Sequence, residues 1–382
     1  MSSTGAAWAK GGLVFGAGGE ETRFYVPSYR VLIDGGELHA SGSDILSVQY
    51  TDSVKELSAF ELVLNNLDDS GEGKPLLKYT EDLTRVQYGS VVELWMGYVD
   101  GPPLEKMIVG EVTALDPQFP SSGASTITVR GLDRLHRLRN NPKSSSWDGM
   151  TDSVIAKEIA VRNHLTIGEI HPTGTKSAPQ NNQDDISFLL ARAKRLNFEV
   201  FMRDNKFYFV RSREGEPPTL TLAWGRSLGS FTPSLTWAQE VSSVTVRAWD
   251  HGEGKLIECT ASRSATGEIT SKFVEEEGSG ETAPGEGGES GEGKEEVITT
   301  EEVRTKDEAD ILARSLLDRS HRVFVTGQAQ TVGRPGLRAG TNVTLGGLGK
   351  VFDGDYYVTE STHRFDDSGY QTTFNVRKVY KR

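Results

Sequence analysis

The sequence predicts an α+β protein that is mainly antiparallel β, with two β domains on either side of a small α/β domain. Three observations predict it. From Phe24 to Leu138, and again after Pro218, apolar and polar side chains alternate with a period of two, as a sheet with one buried face requires. Between these stretches, two segments place apolar residues three and four apart, the spacing of a helix with one buried side. Forty-two glycines and a hydrophobic fraction of 36% fit a chain rich in turns. At ~150 residues per domain, a chain of 382 residues makes two to three domains.

Residues 1–22 are rich in Gly and Ala without a sustained period, and read as a flexible arm in which Trp8, Leu13 and Phe15 are available to anchor it to a neighbour. The first β domain spans 23–140. In it Phe60, Leu62 and Leu64 share one strand face, and Val92, Leu94, Met96 and Tyr98 share another. Asn140–Ser146 is polar and contains Pro142, which marks a boundary. The α/β domain, 141–214, opens with a helix whose stripe is Val154, Ile155, Ile159, Val161 and Leu165, with Asp152 as N-cap. A second helix carries Ile186, Leu189, Leu190 and Ala193 after Asp184 or Asp185. A hairpin follows, Phe198–Met202 and Lys206–Val210, turned at Asp204 and Asn205.

The second β domain spans 215–382. Val244, Val246 and Ala248 alternate with Thr245, Arg247 and Trp249. Between Glu275 and Glu296 stand nine Glu, one Lys and seven Gly, so this segment carries −8 of the chain's net −12 and has little to bury; it reads as a disordered acidic loop. Thr305 and Glu308 have capping-box spacing before a helix with Ala309, Leu312, Ala313 and Leu316 on one stripe. Arg334, Pro335, Gly336 and Gly340 then bend the chain into Val343–Leu345, and Gly354 and Asp355 open a strand in which Tyr356 and Val358 share a face. Asp366–Gly369 turns it into the closing strand, where Tyr370, Thr372, Phe374 and Val376 alternate with Gln371, Thr373, Asn375 and Arg377.

With the acidic segment set aside, the remaining net charge is about −4 and no concentrated basic field appears, which argues against direct nucleic-acid binding; Arg134, Arg137 and Arg139 read as a solvated helix face. A single cysteine, Cys259, excludes an intramolecular disulfide, and its strand context suits a buried, inert thiol. No run of 18 apolar residues is present, and the N-terminus lacks the basic region and unbroken apolar core of a signal peptide. The chain is expected to stay in the cytoplasm that makes it, or to leave it as part of a particle.

No phosphate-binding loop, His-Glu-x-x-His, nucleophile elbow or EF-hand is present, and His39, His136, His164, His171, His251, His321 and His363 lack ligand spacing. No catalytic residue, metal or cofactor is therefore expected. The acid pairs Glu81–Asp82, Asp184–Asp185 and Asp366–Asp367 sit at turns or helix starts, where Asp is favoured for capping, although two carboxyl groups at glycosidase spacing are the alternative. Trp95, Trp224, Trp237 and Trp249 suit a core or subunit contacts better than a sugar platform.

The C-terminal order of a Pro-Gly turn, a short strand, a Gly-Asp-Tyr-x-Val strand and a following His resembles the signature of the phage late control D family, the hub proteins of contractile tails. Pro335, Gly336, Gly340, Gly354, Tyr356, Val358, His363 and Tyr370 carry it as structural residues, with His363 read as a hydrogen-bonded side chain at a strand end. The strands around Gly110 and Glu111, with Arg130-Gly131-x-Asp133, are similar to the same family. The Gln/Asn-rich lead into Asp185-x-x-Phe188-Leu189 resembles the middle domain shared with VgrG spikes of type VI secretion.

The resemblance implies two β-barrel-like domains that are similar to each other, and a homotrimer whose six such domains join a six-fold tail tube to a three-fold spike. Its partners would be the tail tube protein, a separate spike or needle protein and other baseplate proteins. A VgrG-like spike delivering effectors is the alternative; such spikes continue into a needle, whereas this sequence stops at Arg382. A cell-wall hydrolase would need a further domain of ~150 residues, for which no segment is left over.

Overall fold

A computed structural model describes residues 14–15, 22–23, 26–38, 44–68, 76–81, 86–99, 101–139, 142–147, 149–174, 180–235, 241–250, 255–263, 269–274, 294–299, 303, 306–320 and 325–379. The chain is mainly antiparallel β with three α-helices among these residues. The first β region contains β1 (Pro27–Ile33), β2 (Gly36–Glu37), β3 (Ile45–Ser53), β4 (Ala59–Asn65), β5 (Val91–Tyr98), β6 (Glu105–Gln118) and β7 (Thr126–Asp133), followed by a 3-10 turn, Arg134–Leu138. The expected alternation is present: Phe60, Leu62 and Leu64 of β4 and Val92, Leu94 and Met96 of β5 are buried together. Full burial of each such side chain stabilises the fold by ~1.5–3 kcal/mol.

The middle region has β8 (Lys143–Ser145), α1 (Asp152–Arg162), β9 (Thr166–Ile170), β10 (Gln180–Gln183), α2 (Asp185–Leu196), β11 (Phe198–Arg203) and β12 (Lys206–Arg211). Asp204 and Asn205 both take positive φ, 49° and 60°, as the two-residue hairpin turn between β11 and β12 requires. Asp184 caps α2, accepting from the Ser187 N–H at 2.7 Å. In α1 the buried stripe is Ile155, Ala156, Ile159 and Ala160, and Val154 and Val161 face solvent. The N-cap there is Thr151; Asp152 is instead buried against Arg192 of α2, with Nε to Oδ1 at 2.5 Å and Nη2 to Oδ2 at 3.0 Å. An apolar count alone overlooks that a small residue can line a closely packed helix face.

Beyond residue 214 the chain forms β13 (Leu220–Ala223), β14 (Ser230–Leu235), β15 (Val241–Asp250), β16 (Lys255–Arg263), β17 (Ile269–Val274), β18 (Lys294–Thr299), α3 (Lys306–Ser320), β19 (Val325–Val332), β20 (Asn342–Gly346), β21 (Gly354–Asp366) and β22 (Gly369–Lys378). Strands β15–β18 make a separate four-stranded sheet, and α3 covers one face of it around Val244, Val246, Ile257, Cys259, Ala309 and Ala313. The arm at 1–22 lies outside the described residues apart from the two-residue strand Val14–Phe15 and Thr22. So does the acidic segment, except that Lys294, Glu295 and Glu296, expected in a loop, belong to β18, which pairs in parallel with β15.

The remaining strands do not close into a barrel in either β region among the described residues. They form one 13-stranded sheet in the order β14-β19-β22-β21-β3-β4-β7-β6-β5-β1-β2, with β20 beside β21 and β13 beside β20. The join is the antiparallel pairing of β3 with β21, which runs from Val48–Phe365 to Ser53–Glu360. At one end of the sheet the edge strand β14 carries Pro233, which has no N–H to offer another chain.

Candidate functional site

The join between β3 and β21 buries a polar cluster. Along β3 the inward positions are Val48, Tyr50 and Asp52. Tyr356 and Val358 of β21 face the core of the second β region, with Leu222, Val343, Phe374 and Val376. A bulge between Val358 and Glu360 then shifts the register, so that Ser361 and His363 become the buried residues of its second half. His363 stands opposite Tyr50.

Arg338 enters from the loop that precedes β20. Its Nε donates to Asp52 Oδ2 at 2.9 Å, and Nη2 donates to the Tyr50 hydroxyl and to the Met107 carbonyl at 3.0 Å. The other Asp52 oxygen accepts from the Ser361 hydroxyl, and the Ala339 N–H lies 3.3 Å from both. Burial favours the neutral acid at Asp52, but the Arg338 guanidinium and the Ser361 hydroxyl outweigh it and hold the carboxyl below its ordinary range. Burial pushes the Tyr50 hydroxyl up, so it stays protonated.

His363 is wholly buried beside this pair. The Leu337 carbonyl, which can only accept, lies 3.0 Å from Nε2 and so places the proton on that nitrogen. Nδ1 is left as an acceptor for the Tyr370 hydroxyl at 2.9 Å, with the Thr372 hydroxyl at 3.1 Å. Burial lowers the imidazole pKa to about 4, so the ring is neutral at pH 7. It lies within β21, which runs on to Asp366, and not at a strand end.

Of the other motif residues, some line the loop beside the cluster and others lie farther along β21. Pro335 and Gly336 form the turn in which the Leu337 N–H donates to the Arg334 carbonyl at 2.9 Å. Gly340 has φ +81°, a conformation that L side chains rarely adopt, and its N–H donates to the Val358 carbonyl at 2.9 Å. Gly354 begins β21, and Tyr356 donates to the Phe352 carbonyl at 2.7 Å. Tyr370, on β22, belongs to the core of the first β region.

The same loop reaches the middle region, where Arg203 Nη2 donates to the Ala339 carbonyl at 3.3 Å. Nearby, Tyr357 donates to Glu199 of β11, and Arg377 holds Glu214 through two hydrogen bonds at 3.1 and 2.8 Å. Burial raises the Glu199 pKa against the lowering effect of the Tyr357 bond. Tyr50, Asp52, Glu199, Arg338 and Ser361 were not singled out in the sequence. The available signal was a polar side chain at an inward position of a period-two strand, which Asp52 satisfies in step with Val48 and Tyr50.

Among the described residues, acids of two of the pairs take part in local hydrogen bonds. Asp184 caps α2; Asp185 is buried against Arg162 at 2.9 Å and Gln180 at 3.1 Å; Asp366 accepts from Ser368 and Arg364 in its turn. Asp82 lies outside the described residues, as do His39, His251, His321 and Trp237. Trp95, Trp224 and Trp249 stand on different elements, β5, the turn after β13 and β15. The buried Cys259 thiol is pushed up to about 11. Among the described residues no group of three His, Cys, Asp or Glu is placed to hold a metal ion, and no helix is long and apolar enough to cross a membrane.

The fold is shared with solved phage tail proteins and with a component of a type VI secretion system. A prophage MuSo2 43 kDa tail protein from Shewanella oneidensis superposes with a TM-score of 0.63 at 15% identity, covering 92% of this chain and 98% of that one. A tail protein from Neisseria meningitidis MC58 gives 0.63 at 13% identity over 93% and 97%. An Escherichia coli component of the type VI secretion system, described as structurally similar to the T4 bacteriophage tail proteins gp27 and gp5, gives 0.55 at 12% identity over 92% and 77%. No curated protein matches the sequence. The chain belongs to the family described as Alg8 N-terminal domain, which matches residues 24–367.

Proposed function

We propose that this chain is a structural, non-enzymatic component of a contractile tail or a related injection system, and within it the trimeric hub that joins a six-fold tube to a three-fold spike. The observation that carries the reading is the single sheet through both β regions, pinned where they meet by the Asp52–Arg338 pair. A part that transmits load between a tube and a spike needs its two β regions fixed to each other. Two β regions per chain supply six positions in a ring of three, which reconciles the two symmetries. The fold shared with tail proteins over nine-tenths of each chain supports the same reading.

In this role the protein stays in the producing cell's cytoplasm until it assembles with the tube protein, a separate spike protein and other baseplate proteins. Pro335, Gly336, Gly340, Gly354, Tyr356, Val358, His363 and Tyr370 act in folding the junction. The fold shared with the type VI secretion component favours a second reading, a VgrG-like spike subunit that delivers effectors. Light scattering of the purified chain, with electron microscopy of the intact particle, decides between them. A trimer seated between tube and spike supports the hub; density continuous from this chain into the needle supports the spike subunit. A monomer in solution with no trimer in the particle overturns both.

A further inference from the structure

The loop from Arg334 to Gly340 is tied to every part of the junction. The Arg334 N–H donates to the Thr372 hydroxyl at 2.9 Å, the Leu337 carbonyl accepts from His363, Arg338 holds Asp52, and the Ala339 carbonyl accepts from Arg203. His363 is the hinge pin of this arrangement, because its two nitrogens bind the loop on one side and β22 on the other.

A proton added at Nδ1 breaks the pattern. That nitrogen changes from acceptor to donor while facing the Tyr370 and Thr372 hydroxyls, and Thr372 already accepts from Arg334. The new charge is also buried: the Asp52 carboxylate favours it, but the Arg338 guanidinium opposes it and burial outweighs the carboxylate. The titratable and charged groups around it are Tyr50 and Asp52 from β3, Tyr98 from β5, Glu105 from β6, Arg334 and Arg338 from the loop, and Tyr370 from β22. Asp52 also binds Arg338 and Ser361, so a protonated His363 shares one carboxylate with a second buried cation and cannot take it over without loosening Arg338.

We propose that the junction is an acid-released latch: protonation of His363 frees the Arg334–Gly340 loop and unpairs β3 from β21, while the helix-backed sheet around Cys259 stays folded. The local release is separable because that sheet has its own core. The latch is a property of the single chain and stands apart from the assembly it serves. Its depressed basicity, set by burial, puts the release in acid and not at neutral pH.

Hydrogen exchange of the full chain, corrected for the intrinsic pH dependence, tests it across pH 7 to 4, with Cys259 labelling by dithiodipyridine as the report of global unfolding. Residues 45–53, 334–340 and 354–366 are expected to lose protection roughly tenfold or more in acid while Cys259 stays protected. In His363→Gln, which keeps an N–H donor for Leu337 but does not titrate, this loss disappears. Protection that is unchanged at pH 4, or that is lost together with Cys259, overturns the latch in the wild-type chain alone. A His363→Gln chain that responds like the wild type overturns it as well.

Discussion

Asp52 and Arg338 stand 286 residues apart in the sequence, yet the Arg338 Nε lies 2.9 Å from Asp52 Oδ2 in the interior of the protein. Both side chains are nearly free of solvent contact, at 8% and 11% exposure. Removal of one partner leaves the other charge buried and unpaired. Asp52→Ala and Arg338→Met are each expected to lose ~3–5 kcal/mol, and the double variant less than their sum. Urea denaturation of the four chains measures the coupling; additive losses would mean that the two groups act independently.

Acid stability carries the signature of His363. Its folded pKa, about 4, lies below the ordinary 6.5, so the unfolded chain binds the extra proton between these values. The stabilising contribution is full above pH 6.5 and falls as pH drops toward 4, by about 2 kcal/mol from pH 7 to 5. Asp133 has the opposite sense: burial raises it to about 6 from 3.8, so its contribution is present below 3.8 and lost as pH rises through 6. His363→Gln should flatten the first trend and leave the second, which denaturation midpoints at pH 5 and 7 read directly.

Gly333 lies against the Tyr370 ring so closely that an added Cβ would come within 2.1 Å of it. That ring cannot yield freely, since its hydroxyl is bound to His363. Gly333→Ala should cost ~1–3 kcal/mol, and Gly346→Ala, which meets nothing within 4 Å, close to none. Thermal melts of the two variants make the comparison; equal shifts would show that the contact at Gly333 relaxes.

The middle region contrasts two ion pairs. Arg192–Asp152 is buried and Arg130–Asp116 is about half exposed on both sides. Arg192→Ala should lose ~3–5 kcal/mol and loosen the contact between α1 and α2. Arg130→Ala should change stability by less than ~1 kcal/mol, because water and salt screen it. Denaturation together with exchange in α1 distinguishes a local loss from a general one.

Much of this protein is legible one strand at a time. Phe60, Leu62 and Leu64, or Tyr370 and Phe374, announce a buried face because a strand repeats every two residues. What no strand announces is its neighbour. The pairing of β3 with β21 depends on contacts between residues separated by most of the chain, and it turns two expected barrels into one sheet. The polar junction is legible only in part for a related reason: Asp52 stands at an inward position in step with Val48 and Tyr50, but its partner Arg338 lies 286 residues away. His363 was visible through its motif, but the partners that fix its tautomer belong to three different segments. In α1 the apolar pattern points to Val154 and Val161, whereas Ala156 and Ala160 are the buried residues, because a closely packed helix face favours small side chains that an apolar pattern undervalues.

The union of β3 with β21 sets the order in which the nascent chain is completed. Ser361 follows Asp52 by 309 residues, so at ~5–20 residues per second the ribosome takes on the order of 15–60 s to deliver the partner of an edge already made. During that interval one side of β3 is open to any other extended chain. The strand meets the hazard with Gln49, Thr51, Asp52 and Ser53, polar side chains that make a poor template for aggregation. The same carboxylate that later receives Arg338 thus serves first as a guard on the unfinished protein, keeping its edge free until the C-terminal strands emerge.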